Sequence, residues 1–171
     1  MSLKALIKLI PPPARPIDNE GDWRVAEREF GTALPTDFKN MVSHYGTGEF
    51  KLKSLRVANP LTEAGRSEIR NLLSTLRQLR DAMELALVIH PETPGLLPWG
   101  MDHNGNMFCW WTKGAPEKWS IAQVGHDEEE TPHVVKVDIT SFLVKYAQNE
   151  YPEMQGGLKF SESHQQFEQN V

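Results

Sequence analysis

The chain has one cysteine in 171 residues, no long apolar run and no surplus of basic charge. A lone thiol excludes an internal disulfide framework, so the expected setting is a reducing one, the cytoplasm. Without roughly 20 consecutive apolar residues there is no membrane-spanning helix to expect. The opening Met1–Ile10 is too short for a secretory signal and is interrupted by Lys4 and Lys8, so it reads as a short amphipathic helix. A formal net charge of −5 argues against direct binding to nucleic acid. Signatures of catalysis are missing too: there is no GxSxG elbow, no HExxH and no Walker-type loop. Gly46-Thr47-Gly48 follows a helical pattern rather than a strand and lacks a third glycine, which makes it a helix stop. Asp102-His103-Asn104-Gly105-Asn106 has its glycine fourth, where a calcium loop needs it sixth, so a turn is expected there. These absences predict no catalytic residue, no metal and no cofactor.

What the chain does have is the patterning of a globular domain, with 39% apolar and 24% charged residues. Pro11-Pro12-Pro13 fixes an extended lead-in. Trp23, Ala26 and Phe30 recur at helical spacing after Asp18 or Asp22 as cap, and Gly31 stops that helix. A second helix starts after Pro35 with Thr36 as cap, buries Phe38, Met41, Val42 and Tyr45, and ends at Gly46. Phe50 and Leu52 alternate, as do Leu55 and Val57, but the pairs are out of phase. A bulge or turn near Lys53-Ser54 reconciles them. From Glu63 to Leu87, capped by Thr62, a stripe from Ile69 through Leu87 predicts a long core helix across a sheet, its four arginines outward.

The second half reads as strands. Val88, Ile89, Leu96, Leu97 and Trp99 supply short ones, and Pro91, Pro94 and Pro98 favour a sheet edge or irregular chain there. Asn104-Gly105 predicts a two-residue hairpin turn of the primed type. Met107–Trp111 carries bulk on both faces, which marks a central strand. Cys109 within it is expected to be a buried, inert thiol. After a turn at Lys113–Lys118 come a strand at Trp119–Val124, an acidic loop from Gly125 to Pro132 and a strand at Val134–Val137. A helix holding Phe142, Leu143 and Tyr146 follows, capped by Asp138 or Thr140. Strands in succession joined by tight turns predict an antiparallel meander, and the whole is α+β.

The order of motifs adds a resemblance. An acidic helix ending at Gly31 leads to Leu34-Pro35-Thr36-Asp37-Phe38-Lys39, then to Tyr45-Gly46-Thr47-Gly48. Leu97-Pro98-Trp99-Gly100-Met101-Asp102-His103-Asn104-Gly105 and an aromatic strand follow. This is similar to the SUKH superfamily, which includes yeast cell-wall-assembly regulators and many bacterial toxin-immunity proteins. The likeness runs from about Trp23 to Tyr146 and departs between Asn59 and Pro94 and after Tyr151. It implies a single α+β domain in which helices pack on a curved, mostly antiparallel sheet. The expected layout is an N-terminal helix and Pro-rich lead-in at 1–22, the SUKH-like domain at 23–150 and a polar tail at 151–171. Leu158, Phe160 and Phe167 could dock that tail, and a mobile tail fits equally.

The same resemblance implies a non-enzymatic, intracellular protein that neutralises a toxin, often a nuclease, whose nucleic-acid surface is basic. Asp127, Glu128, Glu129 and Glu130 would steer such a partner, around an aromatic anchor at Trp111 or Trp119. Trp110 and Trp111 are adjacent and must face opposite sides of their strand, so one is free to line an outer groove. Two other classes stay open. One is a regulatory scaffold or small-ligand binder; the other is an enzyme with a pocket between the sheet and the long helix, using His126 and His133. Those histidines and the four carboxylates between them have metal-ligand chemistry, but a solvated connection between strands is the preferred reading.

Overall fold

The computed structural model describes residues 3–125 and 132–169. Five helices are present: α1 (Leu3–Leu9), α2 (Trp23–Phe30), α3 (Thr36–Tyr45), α4 (Glu63–Ala82) and α5 (Ile139–Ala147). The strands are β1 (Gly48–Phe50), β2 (Leu55–Val57), β3 (Leu96–Met101), β4 (Met107–Trp111), β5 (Ser120–Val124), β6 (His133–Val135) and β7 (Phe167–Glu168). They form one open antiparallel sheet in the order β6-β5-β4-β3-β2-β1-β7.

Local chemistry sets the helix ends. Asp22 accepts from the Arg24 N–H at the start of α2, Thr62 from the Gly65 N–H at the start of α4, and Asp138 from the Ser141 N–H at the start of α5. Thr36 is not a cap. Pro35 holds that position without a side-chain bond, and the Thr36 hydroxyl donates instead to Glu117, 2.8 Å away. Helix α4 stops at Ala82, short of Leu87, because Glu84 enters the left-handed region at φ +52°; Leu87 is still buried, on the chain that folds back. Its arginines are not all outward: the Arg66 side chain is 13% exposed and pairs with Glu29 of α2.

The sheet is covered on both sides. Trp99, Phe108 and Trp110 share one face, where they meet Phe142 and Tyr146 of α5 and Phe38 of α3. On the other face the ion pair of Arg56 with Glu68, at 2.6 Å, ties β2 to α4. Helix α1 lies on α3 and α5, with Leu6 and Ile10 fully buried and the Tyr45 hydroxyl donating to the Ile10 carbonyl at 2.5 Å. β4 sits inside the sheet, as its two-sided bulk predicts. Pro98, however, lies in an internal strand rather than at an edge. β2 pairs only with Gly100 and Met101 of β3, so Pro98 falls beyond its end, next to a bulge against β4.

Of the two hairpin turns, the expected one at Lys53-Ser54 is present and the one at Asn104-Gly105 differs from its expected two-residue form. Between β3 and β4 the Gly105 N–H donates to the Asp102 carbonyl and the Asp102 N–H to the Asn106 carbonyl, a three-residue loop, His103-Asn104-Gly105. Gly105 alone is left-handed, at φ +83°. The Asp102 carboxylate accepts from the Asn104 and Asn106 N–H groups and so pins the wider loop. The primed geometry occurs instead between β1 and β2, where Lys53 and Ser54 both have positive φ, +55° and +48°.

The C-terminal segment is docked. Met154 and Phe160 are buried, the Gln123 side chain donates to the Met154 carbonyl at 2.9 Å, and β7 adds to the outer edge of β1. Phe167 meets the rings of Tyr45 and Phe50.

Candidate functional site

The motif residues hold scaffold posts. Asp37 reaches across to α5, where its carboxylate accepts from the Ile139 and Thr140 N–H groups at 2.9 and 3.3 Å. With Asp138 taking the Ser141 N–H at 2.7 Å, the first three donors of α5 are satisfied. Trp99 is fully buried, and a Cβ on Gly100 would stand 2.5 Å from the Arg56 carbonyl, so only glycine lets β2 approach there. A surface for recognition has to be sought elsewhere.

Alternation along β4 and β5 leads to it. Trp110 points into the aromatic core, which turns Trp111 to the other face. β6 covers β5 only from Ile121 to Gln123, leaving the Ser120 end of β5 open. At that corner lies a groove of about 800 Å³, lined by Trp111, Trp119 and the lysines Lys113, Lys118, Lys136 and Lys145. The half-buried Trp111 indole and Val134, 47% exposed, are apolar surface beside it. Trp119 is 6% exposed; it donates to the Gly114 carbonyl at 3.1 Å and packs on Trp110, so it forms the groove's floor rather than a projecting anchor.

The groove is basic although the chain is acidic. Its two carboxylates are already engaged: Asp138 caps α5, and the hydrogen bond from Thr36 holds Glu117 below the usual carboxylate range. Lys145 pairs with Glu150 at 3.3 Å, whereas Lys113, Lys118 and Lys136 have no ion-pair partner among the described residues. Sequence reasoning found the two tryptophans but missed these lysines, which are spread over three segments and form no run. Asp127, Glu128, Glu129, Glu130 and His126 lie outside the described residues.

A second cleft, about 470 Å³, opens at the opposite end of β5, where Gly125 lines it with Lys53, His103, Asn104, His133 and Glu153. The groove between the sheet and α4 is lined by Arg56, Glu68, Asn71, Leu72 and Met101 among others and has no histidine, so His133 does not belong to it. Cys109 is fully buried, and burial pushes its thiol far up, away from any nucleophilic role near neutral pH. Among the described residues no group of three or more His, Cys, Asp or Glu is placed to hold a metal ion, and no helix is long and apolar enough to cross a membrane.

Residues 20–143 match a family model, SUKH_6, described as SMI1-KNR4 cell-wall. No curated protein and no solved structure matches the chain.

Proposed function

Because the chain belongs to the SUKH superfamily by a family match over residues 20–143, we propose that it is a non-enzymatic protein-binding module. Within that class the reading is an intracellular immunity protein that neutralises a cognate toxin domain, such as a nuclease. The observation that carries it is the open groove, in which a half-buried indole lies among lysines, three of which, Lys113, Lys118 and Lys136, pair with no carboxylate among the described residues.

A protein partner supplies what that groove lacks. An apolar side chain against Trp111 removes indole surface from water, and carboxylates at its margin meet Lys113, Lys118 and Lys136. Asp127, Glu128, Glu129 and Glu130 give the protein a patch of opposite sign, suited to the basic nucleic-acid surface of a nuclease. Charges at an interface rim act mainly on the encounter, and salt screens them over roughly 8 Å at physiological ionic strength.

The test is association kinetics with a candidate toxin domain, one encoded by a neighbouring gene being the first to try. Trp111→Ala should speed dissociation by about 30-fold, the scale of a 2 kcal/mol anchor, with association little changed. Replacing Asp127–Glu130 by Asn and Gln should slow association and flatten its salt dependence. Association indifferent to salt and to those four substitutions, with dissociation unmoved by Trp111→Ala, would sink the assignment.

A further inference from the structure

Side-chain alternation builds the tryptophan groove as a shelf. Ser120 stands directly opposite Trp111, and Val134 stands opposite Ala122, which in turn pairs with Cys109. Trp111, Ser120 and Val134 therefore share one face of the sheet. β6 ends at Val135, where the Val137 N–H turns back to the Val135 carbonyl at 3.0 Å, so no residue of β6 pairs with Ser120. The small Ser120 is left as a hollow between an indole and an exposed valine.

The charges around this hollow are not balanced from within. Lys113, Lys118 and Lys136 are exposed and make no ion pair among the described residues, while Lys145 is taken by Glu150. Glu117 accepts from the Thr36 hydroxyl and Asp138 from the first turn of α5, so both carboxylates of the lining are already used. A surface ion pair adds little stability, so the missing partners are no defect of the fold. What marks these lysines is their gathering round an apolar shelf in a chain of net charge −5. An apolar centre with a charged rim is the layout of a recognition surface.

Two kinds of polyanion suit a basic, aromatic groove: an acidic polypeptide and a single-stranded nucleic acid. The lining chooses between them. A phosphate backbone carries a charge at every nucleotide and cannot avoid Glu117 and Asp138, and the acidic chain repels it at longer range. A peptide can set carboxylates opposite the lysines, a neutral residue opposite Glu117 and Asp138, and an apolar side chain over Ser120.

On the protein-binding reading, on which this rests, we propose that the groove's occupant is an extended acidic segment of the partner. An aromatic or branched aliphatic side chain of that segment sits between Trp111 and Val134 over Ser120, flanked by carboxylates on Lys113, Lys118 and Lys136. The groove thus grips an acidic patch, outside the basic surface by which a nuclease holds nucleic acid.

The experiment is an NMR titration of the full chain, followed at the Trp111 indole N–H and the Ser120 and Val134 amides. The probe is a capped peptide, Gly-Asp-Glu-Phe-Asp-Glu-Gly. Its comparators are the same peptide with Gly for Phe, the same with Asn and Gln for its acids, and a short oligothymidylate. The probe should give saturable shifts, with both altered peptides at least about tenfold weaker and the oligonucleotide no tighter than they are. Trp111→Ala should abolish the saturation at Ser120 and Val134. Lys113→Ser combined with Lys136→Ser, both at exposed positions, serves as a second variant: it should weaken the probe about tenfold and flatten its salt dependence. No saturation, a neutral peptide bound as tightly, a tighter oligonucleotide, or binding unchanged in the variants would overturn the assignment. None of these readouts needs a toxin. A toxin released faster by Trp111→Ala while the acidic probe stays unbound would leave the protein-binding reading standing and remove this inference alone.

Discussion

Asp37 and Asp138 meet at the same helix end yet titrate in opposite directions. For Asp138, burial alone would raise the carboxyl, but bonds from the Ser141 N–H and hydroxyl and the Thr140 hydroxyl outweigh it and hold it below the usual range. For Asp37, burial dominates and the carboxyl is raised, with the Thr140 N–H only partly offsetting. Asp138 therefore contributes stability that is present above its unfolded value and lost as pH falls through its depressed folded value. Asp37 binds its proton more tightly folded than unfolded, so its share is lost as pH rises through its elevated one. Asp138→Ala should cost about 1 kcal/mol at about pH 7 and progressively less toward about pH 3, read from urea midpoints. Asp37→Asn keeps an acceptor without the buried charge and should leave the neutral-pH midpoint little changed or higher. Gly105 is the other single-residue determinant. Its φ of +83° makes Gly105→Val destabilising by about 1 kcal/mol or more, visible in the same melts. The sequence announced the need for glycine there, but not the loop length, because Asp102 closes the turn through its side chain rather than its backbone alone.

At the scale of elements, the helices were legible where an apolar stripe met a cap and a glycine, as in α2 between Asp22 and Gly31. They were less so where a single backbone angle decides the end, as at Glu84 after α4. β7 had no readable signal as a strand: two residues in a polar segment carry no periodicity, and it is held by Phe167 against Tyr45 and Phe50 together with the ion pair of Lys51 with Glu168. That dependence is testable. Phe167→Ala should release β7 from β1, seen as lost hydrogen-exchange protection at the Lys51 amide, which donates to the Gln166 carbonyl, while α5 amides keep theirs. Loss of protection throughout the sheet would show instead that β7 belongs to the global folding unit.

For the whole molecule, the net charge of −5 conceals its distribution. The groove gathers lysines from the turn after β4, from the chain after β6 and from α5, and the second cleft gathers Lys53, His103 and Glu153 from three distant segments. A linear reading weighs neighbours in sequence, so it saw the tryptophans and the acidic run and missed both constellations. The edge pairing has a further consequence for how the molecule is made. Phe50 meets Phe167, which leaves the ribosome 117 residues later. At about 5–20 residues per second that is roughly 6–23 s during which the nascent β1 edge has no β7 to cover it. The same interval lets β7 of one newly made copy close the sheet of another, so the strand that finishes the monomer is also the one whose exchange would join two.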